Sequence, residues 1–183
     1  MVVKTLLTAR QFERICAELG PCELEHGQVT FLSPGGLPHS NVSANITVLL
    51  GMWARRTRLG RVFTNEAGLI TESDPDTVRG VDLAYYSYRR LPKGREPQGF
   101  SIVPPELAVE VVGKGQGWRK MVEKAGEYLR MGVDRVWVVD PRTQRVHVFK
   151  ADDEPTIVSE RQTLSDRAIL PGFRCRVREF FAS

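Results

Sequence analysis

Apolar residues recur at helical spacing in three stretches and fall into short alternating or unbroken runs elsewhere. Phe12, Ile15, Cys16 and Leu19 mark a helix over Ala9–Leu19, with Thr8 as its cap and Gly20-Pro21 as its stop. Residues 23–32 read as a strand or hairpin ended by Ser33-Pro34-Gly35-Gly36. A second helix is predicted over residues 39–58, where Val42, Ile46, Leu49, Leu50 and Trp53 form one stripe. Strands follow at 61–65, 68–71 and 80–87, and then an irregular loop at 89–105 carrying six prolines and glycines close together. Residues 107–112 are an almost unbroken apolar run, as expected of a strand covered on both faces. A glycine-rich turn, Gly113-Lys-Gly-Gln-Gly117, leads into a helix over Trp118–Met131 that Gly132 caps, with Met121, Val122, Ala125, Tyr128 and Leu129 turned inward. Strands at 136–139, 145–150 and 156–160 and a short amphipathic tail at Val177–Phe181 complete the chain. This order predicts an α/β (α+β) domain with a central mixed sheet flanked by helices.

Composition narrows the class. The 183 residues are 42% hydrophobic and 26% charged, which suits one domain over residues 1–183 and excludes a disordered chain. No run approaches the roughly 18 apolar residues that a membrane helix needs, and the first ten residues lack a signal-peptide core. A soluble, cytoplasmic protein with no membrane partner is therefore expected. Its three cysteines, Cys16, Cys22 and Cys175, are odd in number and read as reduced thiols. The net charge is +4. The basic residues cluster at Arg55, Arg56, Arg58 and Arg61, at Arg89, Arg90, Lys93 and Arg95, at Arg174, Arg176 and Arg178, and at Lys114, Arg119, Lys120 and Lys124. Such clusters permit a polyanionic partner without requiring one.

Two carboxylates stand out because of the company they keep. Glu110 is the one polar side chain in the 107–112 run, and by strand parity it shares a face with Ala108 and Val112. Asp82 is the one charge in Val81-Asp-Leu-Ala-Tyr85. A carboxylate in apolar surroundings costs several kcal/mol unless a cation, a lysine or a bound proton compensates it. Two such groups on neighbouring strands suit a hard divalent ion such as Mg²⁺. Lys124, read as lying on the polar side of the third helix, is the candidate to neutralise the pair or hold a water. His39, alone at the start of a helix, reads as structural. The turn at 113–117 lacks the full phosphate-loop pattern.

An ordered set of motifs adds to this. Glu23-Leu-x-x-Gly27, His39, Val-Asp82-Leu-Ala, Val-Glu110-Val, Lys124-x-x-x-Tyr128-x-x-x-Gly132-Val, Val-Trp137-Val-Val-Asp140-Pro and Leu170-Pro-Gly-Phe173 resemble a bacterial restriction-endonuclease-like family of the Uma type, over nearly the whole chain. The resemblance implies a PD-(D/E)XK nuclease fold. Asp82 and Glu110 would then be metal ligands, and Lys124 would stand in for the motif lysine, displaced onto a helix because Val112 occupies the usual position. It further implies Mg²⁺- or Mn²⁺-dependent hydrolysis of phosphodiester bonds in double-stranded DNA, by a homodimer. The chain departs from the pattern at Val81, in the Gly113-Lys-Gly-Gln segment, at Lys120 and at Gln28. These departures leave the site more positive and keep open a catalytically degenerate module that only binds nucleic acid.

Overall fold

The computed structural model describes residues 6–183. In chain order the elements are α1 (Ala9–Leu19), β1 (Cys22–Glu25), β2 (Gln28–Phe31), α2 (Leu37–Thr57), β3 (Gly60–Glu72), β4 (Thr77–Ser87), β5 (Leu107–Val111), α3 (Trp118–Met131), β6 (Arg135–Asp140), β7 (Arg145–Phe149), β8 (Thr156–Ser159), β9 (Thr163–Leu164) and β10 (Cys175–Arg176), followed by a 3-10 turn at Val177–Phe181. The first eight strands form one mixed sheet in which β5 and β6 are parallel and the other ladders antiparallel. The parallel pair needs a crossover, and α3 supplies it. The expected mixed sheet with helices on both sides is what the chain forms.

Local signals set most boundaries. Thr8 closes a capping box with Gln11 at the start of α1, and α1 stops at Gly20, which has a φ of 82°. The stripe on α1 is narrower than its spacing suggested: Phe12 is buried, but Ile15 and Leu19 are exposed. Helix α2 begins two residues earlier than expected because Pro38 suits the first turn, where its missing N–H costs nothing. The two short strands expected at 61–65 and 68–71 are one strand, β3. Its ladder with β4 slips between Thr64 and Ala67, where Asn65 and Glu66 take φ values of 67° and 58°. A bulge of this kind leaves no turn residues to announce it. The last part of the 89–105 loop is tied down. Ser101 exchanges backbone hydrogen bonds with Gly68 and Ile70, and Phe100 stacks on Phe12.

The sheet is buried on both sides. On one face α2 and the C-terminal turn pack Val42, Ile46, Leu50, Trp53 and Phe180 against Leu83, Leu107, Val109 and Trp137. On the other, α3 packs Met121, Ala125 and Tyr128 against Ala84, Ala108, Val136 and Val138. Every residue of β5 is buried, as its sequence predicts. The three cysteines are free thiols, and no described helix is long and apolar enough to cross a membrane.

Trp137 sits at the centre of this arrangement, wholly buried on β6 between Phe173 and Phe180. Its indole Nε1 has no hydrogen-bond partner among the described residues. Trp137→Ala is expected to cost about 3–5 kcal/mol of unfolding free energy through the cavity it leaves. Trp137→Phe should cost far less, because the smaller cavity is partly offset by removal of an unpaired buried N–H. Urea unfolding of both variants checks this; equal costs would show that the indole N–H is not a liability.

Candidate active site

The sheet forks at β4. One edge of β4 pairs with β3 along its length. The other edge is shared: β1 meets it at Val78, and β5 meets it from Leu83 to Tyr85. Among the described residues no strand pairs with Arg79–Asp82 on that second edge, and side chains bridge the gap instead. Glu23 on β1 accepts the Gly80 N–H at 3.1 Å, and Asp82 accepts the Val111 N–H at 2.7 Å. Extending the register Leu83↔Val109 by one residue sets Asp82 opposite Glu110 on adjacent strands. The two carboxylates picked out of the sequence therefore meet at the fork.

Lys124 meets them as well, from a different side of its helix than the sequence reading gave it. It is 5% exposed, in the buried row of α3 with Met121 and Tyr128, and not on the polar face. Its Nζ lies 3.2 Å from Glu110 Oε2 and 2.9 Å from Glu23 Oε1. The Tyr128 hydroxyl, one turn on, donates to Glu110 Oε1 at 2.5 Å. Val122, expected inward, is exposed.

Glu66 and Arg79 escaped the sequence reading, while His39 and Glu23 entered it only within the family motifs and with no role beside the acids. His39, read as structural, places Nε2 3.3 Å from Asp82 Oδ2, and that contact raises its pKa against the opposing effect of burial. Glu66 reaches the fork from the β3 bulge and lies against Gly80, where even a Cβ would meet Glu66 Oε2 at 2.4 Å. Arg79 is 4% exposed and clamps Glu127 with two bonds of 2.7 and 2.8 Å, while its Nη1 bonds Glu23 at 2.9 Å. Arg79 and Glu23 leave no periodic trace, because their burial depends on one another. Lys120, counted as adding positive charge beside the site, is instead engaged by Glu25 at 3.0 Å. Burial alone would raise the Glu25 pKa, but bonds from Arg79 and Lys120 pull it down to about 2.

The electrostatics show which charge lacks a partner. Six carboxyl groups (Glu23, Glu25, Glu66, Asp82, Glu110 and Glu127) face Arg79, Lys120, Lys124 and His39, so with all six ionised two negative charges would be uncompensated even with His39 protonated. The strain falls on two groups. Burial raises the Glu110 carboxyl to about 7, with Asp82 and Glu23 adding to the effect and Lys124 and Tyr128 opposing it. Burial and Asp82 raise Glu66 likewise. Lys124 stays charged: burial disfavours the ammonium, but Glu110 and Glu23 outweigh it. Carboxylate oxygens are hard donors, yet no group of three or more His, Cys, Asp or Glu side chains among the described residues already converges on one point.

A carboxyl whose folded pKa is raised above its unfolded value of 4.5 favours the folded state below that value and loses the contribution as pH climbs through about 7. In metal-free buffer, wild type should therefore lose on the order of 3 kcal/mol relative to Glu110→Gln between those limits. Thermal unfolding across that range measures it. A constant difference between the two proteins would show that Glu110 does not hold its proton in the folded state.

Comparison with known proteins agrees with this architecture. Seven chains of known structure match this one. One, described as a putative nuclease belonging to DUF820 from Anabaena variabilis ATCC 29413, superposes with a TM-score of 0.78 at 18% identity, covering 96% of this chain and 97% of its own. That match shows a common fold. Another, in the DrdV–DNA complex, is 18% identical with a TM-score of 0.44, covering 80% of this chain and 12% of that one, too low a score to establish likeness. No curated protein matches the sequence. A family model, Uma2, described as "Putative restriction endonuclease", matches residues 9–178, and with that extent of match the chain belongs to the Uma2 family.

Proposed function

We propose that the protein is an endonuclease that hydrolyses phosphodiester bonds of double-stranded DNA with a divalent cation, Mg²⁺ or Mn²⁺, at the fork of the sheet. One observation carries the reading: six carboxyl groups gather at and beside the fork against four groups that can carry positive charge, and Asp82 and Glu110 lie together among them. The donors fit a hard divalent ion, which prefers carboxylate oxygen and keeps several waters. Asp82 and Glu110 would hold it, with Glu66 near enough to share the charge. A cation bound there would polarise the scissile phosphate and lower the pKa of its water.

The chain's own residues prepare the site. Tyr128 fixes the Glu110 carboxyl from behind through a buried hydrogen bond. His39 and the Val111 N–H fix Asp82 from two directions. Lys124 is already shared between Glu110 and Glu23, so it can give up Glu110 and remain paired with Glu23 without becoming an unpaired buried charge. Its freed N–H donors then orient the attacking water and stabilise charge that develops on the phosphate. Two copies acting as a homodimer would each cut one strand of a duplex.

Titration of Mg²⁺ or Mn²⁺ into wild type, Asp82→Ala and Glu110→Ala, with nicking of supercoiled plasmid by the same proteins, tests the assignment. Binding and nicking should both disappear in the two variants. Wild type that binds no cation but still retains DNA would instead support a degenerate binding module on this fold. Lys124→Gln should keep the cation and lose nicking by about 100-fold, the scale of one positioned stabilising group; nicking at the wild-type rate would remove Lys124 from the mechanism.

A further inference from the structure

Two basic clusters that are distant in sequence meet away from the fork. Arg55 and Arg58 from the end of α2, Arg61 from the start of β3 and Lys93 from the loop after β4 line an open depression of about 700 Å³ with Tyr88. Arg61 is already engaged, paired with Glu96 and stacked 5.5 Å from the Tyr88 ring centre. Lys93 Nζ lies 4.6 Å from the same ring. Arg55, Arg58 and Lys93 have no carboxylate partner among the described residues and are exposed. Val48 and Met52, 57% and 68% exposed, complete the wall. The depression thus offers three uncompensated cations beside apolar surface, the reverse of the fork with its excess of carboxylates.

The two places are joined by the same pair of elements. Helix α2 carries His39 at the fork and Arg55 sixteen residues on, about 24 Å away at 1.5 Å per residue. Strand β3 carries Glu66 at the fork and Arg61 five residues back, about 16 Å away at 3.3 Å per residue. A polyanion whose phosphate must approach the acidic fork is repelled there, and needs its attraction supplied elsewhere along the same strand.

We propose that this depression holds the backbone phosphates of a DNA strand running along α2 and β3 to the fork, about five to seven nucleotides from the bond to be cut at 3.4 Å of rise per nucleotide. The proposal rests on the nuclease reading for the position of the cut, but not for the binding itself. Arg55, Arg58 and Lys93 contact phosphate, while Val48 and Met52 lie against the sugars. Such contacts give affinity without sequence preference.

Binding of a fluorescent 30-base-pair duplex in EDTA, over a range of KCl concentrations, tests it. The Arg55→Ala/Lys93→Ala double variant should bind more weakly, with a salt slope shallower by about 1.8, since each lost phosphate contact removes about 0.9. Arg161→Ala/Arg167→Ala, which removes the same charge elsewhere, should leave the slope unchanged. Equal slopes in wild type and the Arg55/Lys93 variant overturn the proposal. So does a shift from dimer to monomer with the slope unchanged, which would assign this face to a second copy. The two readings fail separately. A shallower slope without plasmid nicking in Mg²⁺ retains the track and removes the hydrolytic reading; nicking with an unaltered slope does the opposite. Wild type that binds no duplex overturns both.

Discussion

The buried ammonium of Lys124 is the interaction on which the rest of the site depends. An isolated charge at that depth would be several kcal/mol unfavourable, and removing one member of a buried pair leaves the other uncompensated. Lys124 meets this constraint with two carboxylates, Glu23 from β1 and Glu110 from β5. These strands lie on one edge of β4 without meeting each other along the gap. The ammonium therefore links two branches of the sheet that backbone hydrogen bonds leave separate, and α3 must pack in one register to deliver it.

Arg79 extends the same logic. Its guanidinium joins Glu127 of α3 to Glu23 and Glu25 of β1, so helix, hairpin and β4 are tied at one buried point. The bidentate geometry with Glu127 suits a planar guanidinium, and a lysine could not reproduce it. The network is nonetheless short of positive charge. That shortfall falls on Glu110 and Glu66, the two carboxyls that burial pushes upward.

Charge is divided over the molecule in a way its net value of +4 conceals. Of the cluster around α3, Lys120 and Lys124 are spent internally on Glu23, Glu25 and Glu110. Arg90 is likewise engaged by Glu106 and Asp134. Among the described residues without a carboxylate partner are Arg55, Arg58 and Lys93, which α2 and the loop after β4 bring together. Counting basic residues along the chain could not separate these groups, because neutralisation depends on which carboxylate the fold places opposite each one.

By itself the sequence determined most of the elements and singled out Asp82 and Glu110. Unbroken apolar runs marked β5 and β6, stripes at helical spacing marked α2 and α3, and the isolation of Asp82 and Glu110 within apolar strands marked them as compensated by something. These are local properties, since a strand buried on both faces must be apolar wherever it goes. The spacing also held the position of Lys124, three residues after Met121 and four before Tyr128, but its charge argued for solvent until the partners were known. Tertiary structure alone decided that β3 passes through a bulge carrying Glu66, that His39 reaches Asp82 across the sheet, and that Arg79 is buried. Each of these pairs groups far apart in the chain, and the low-dielectric interior makes burial of either member possible only when the other is present.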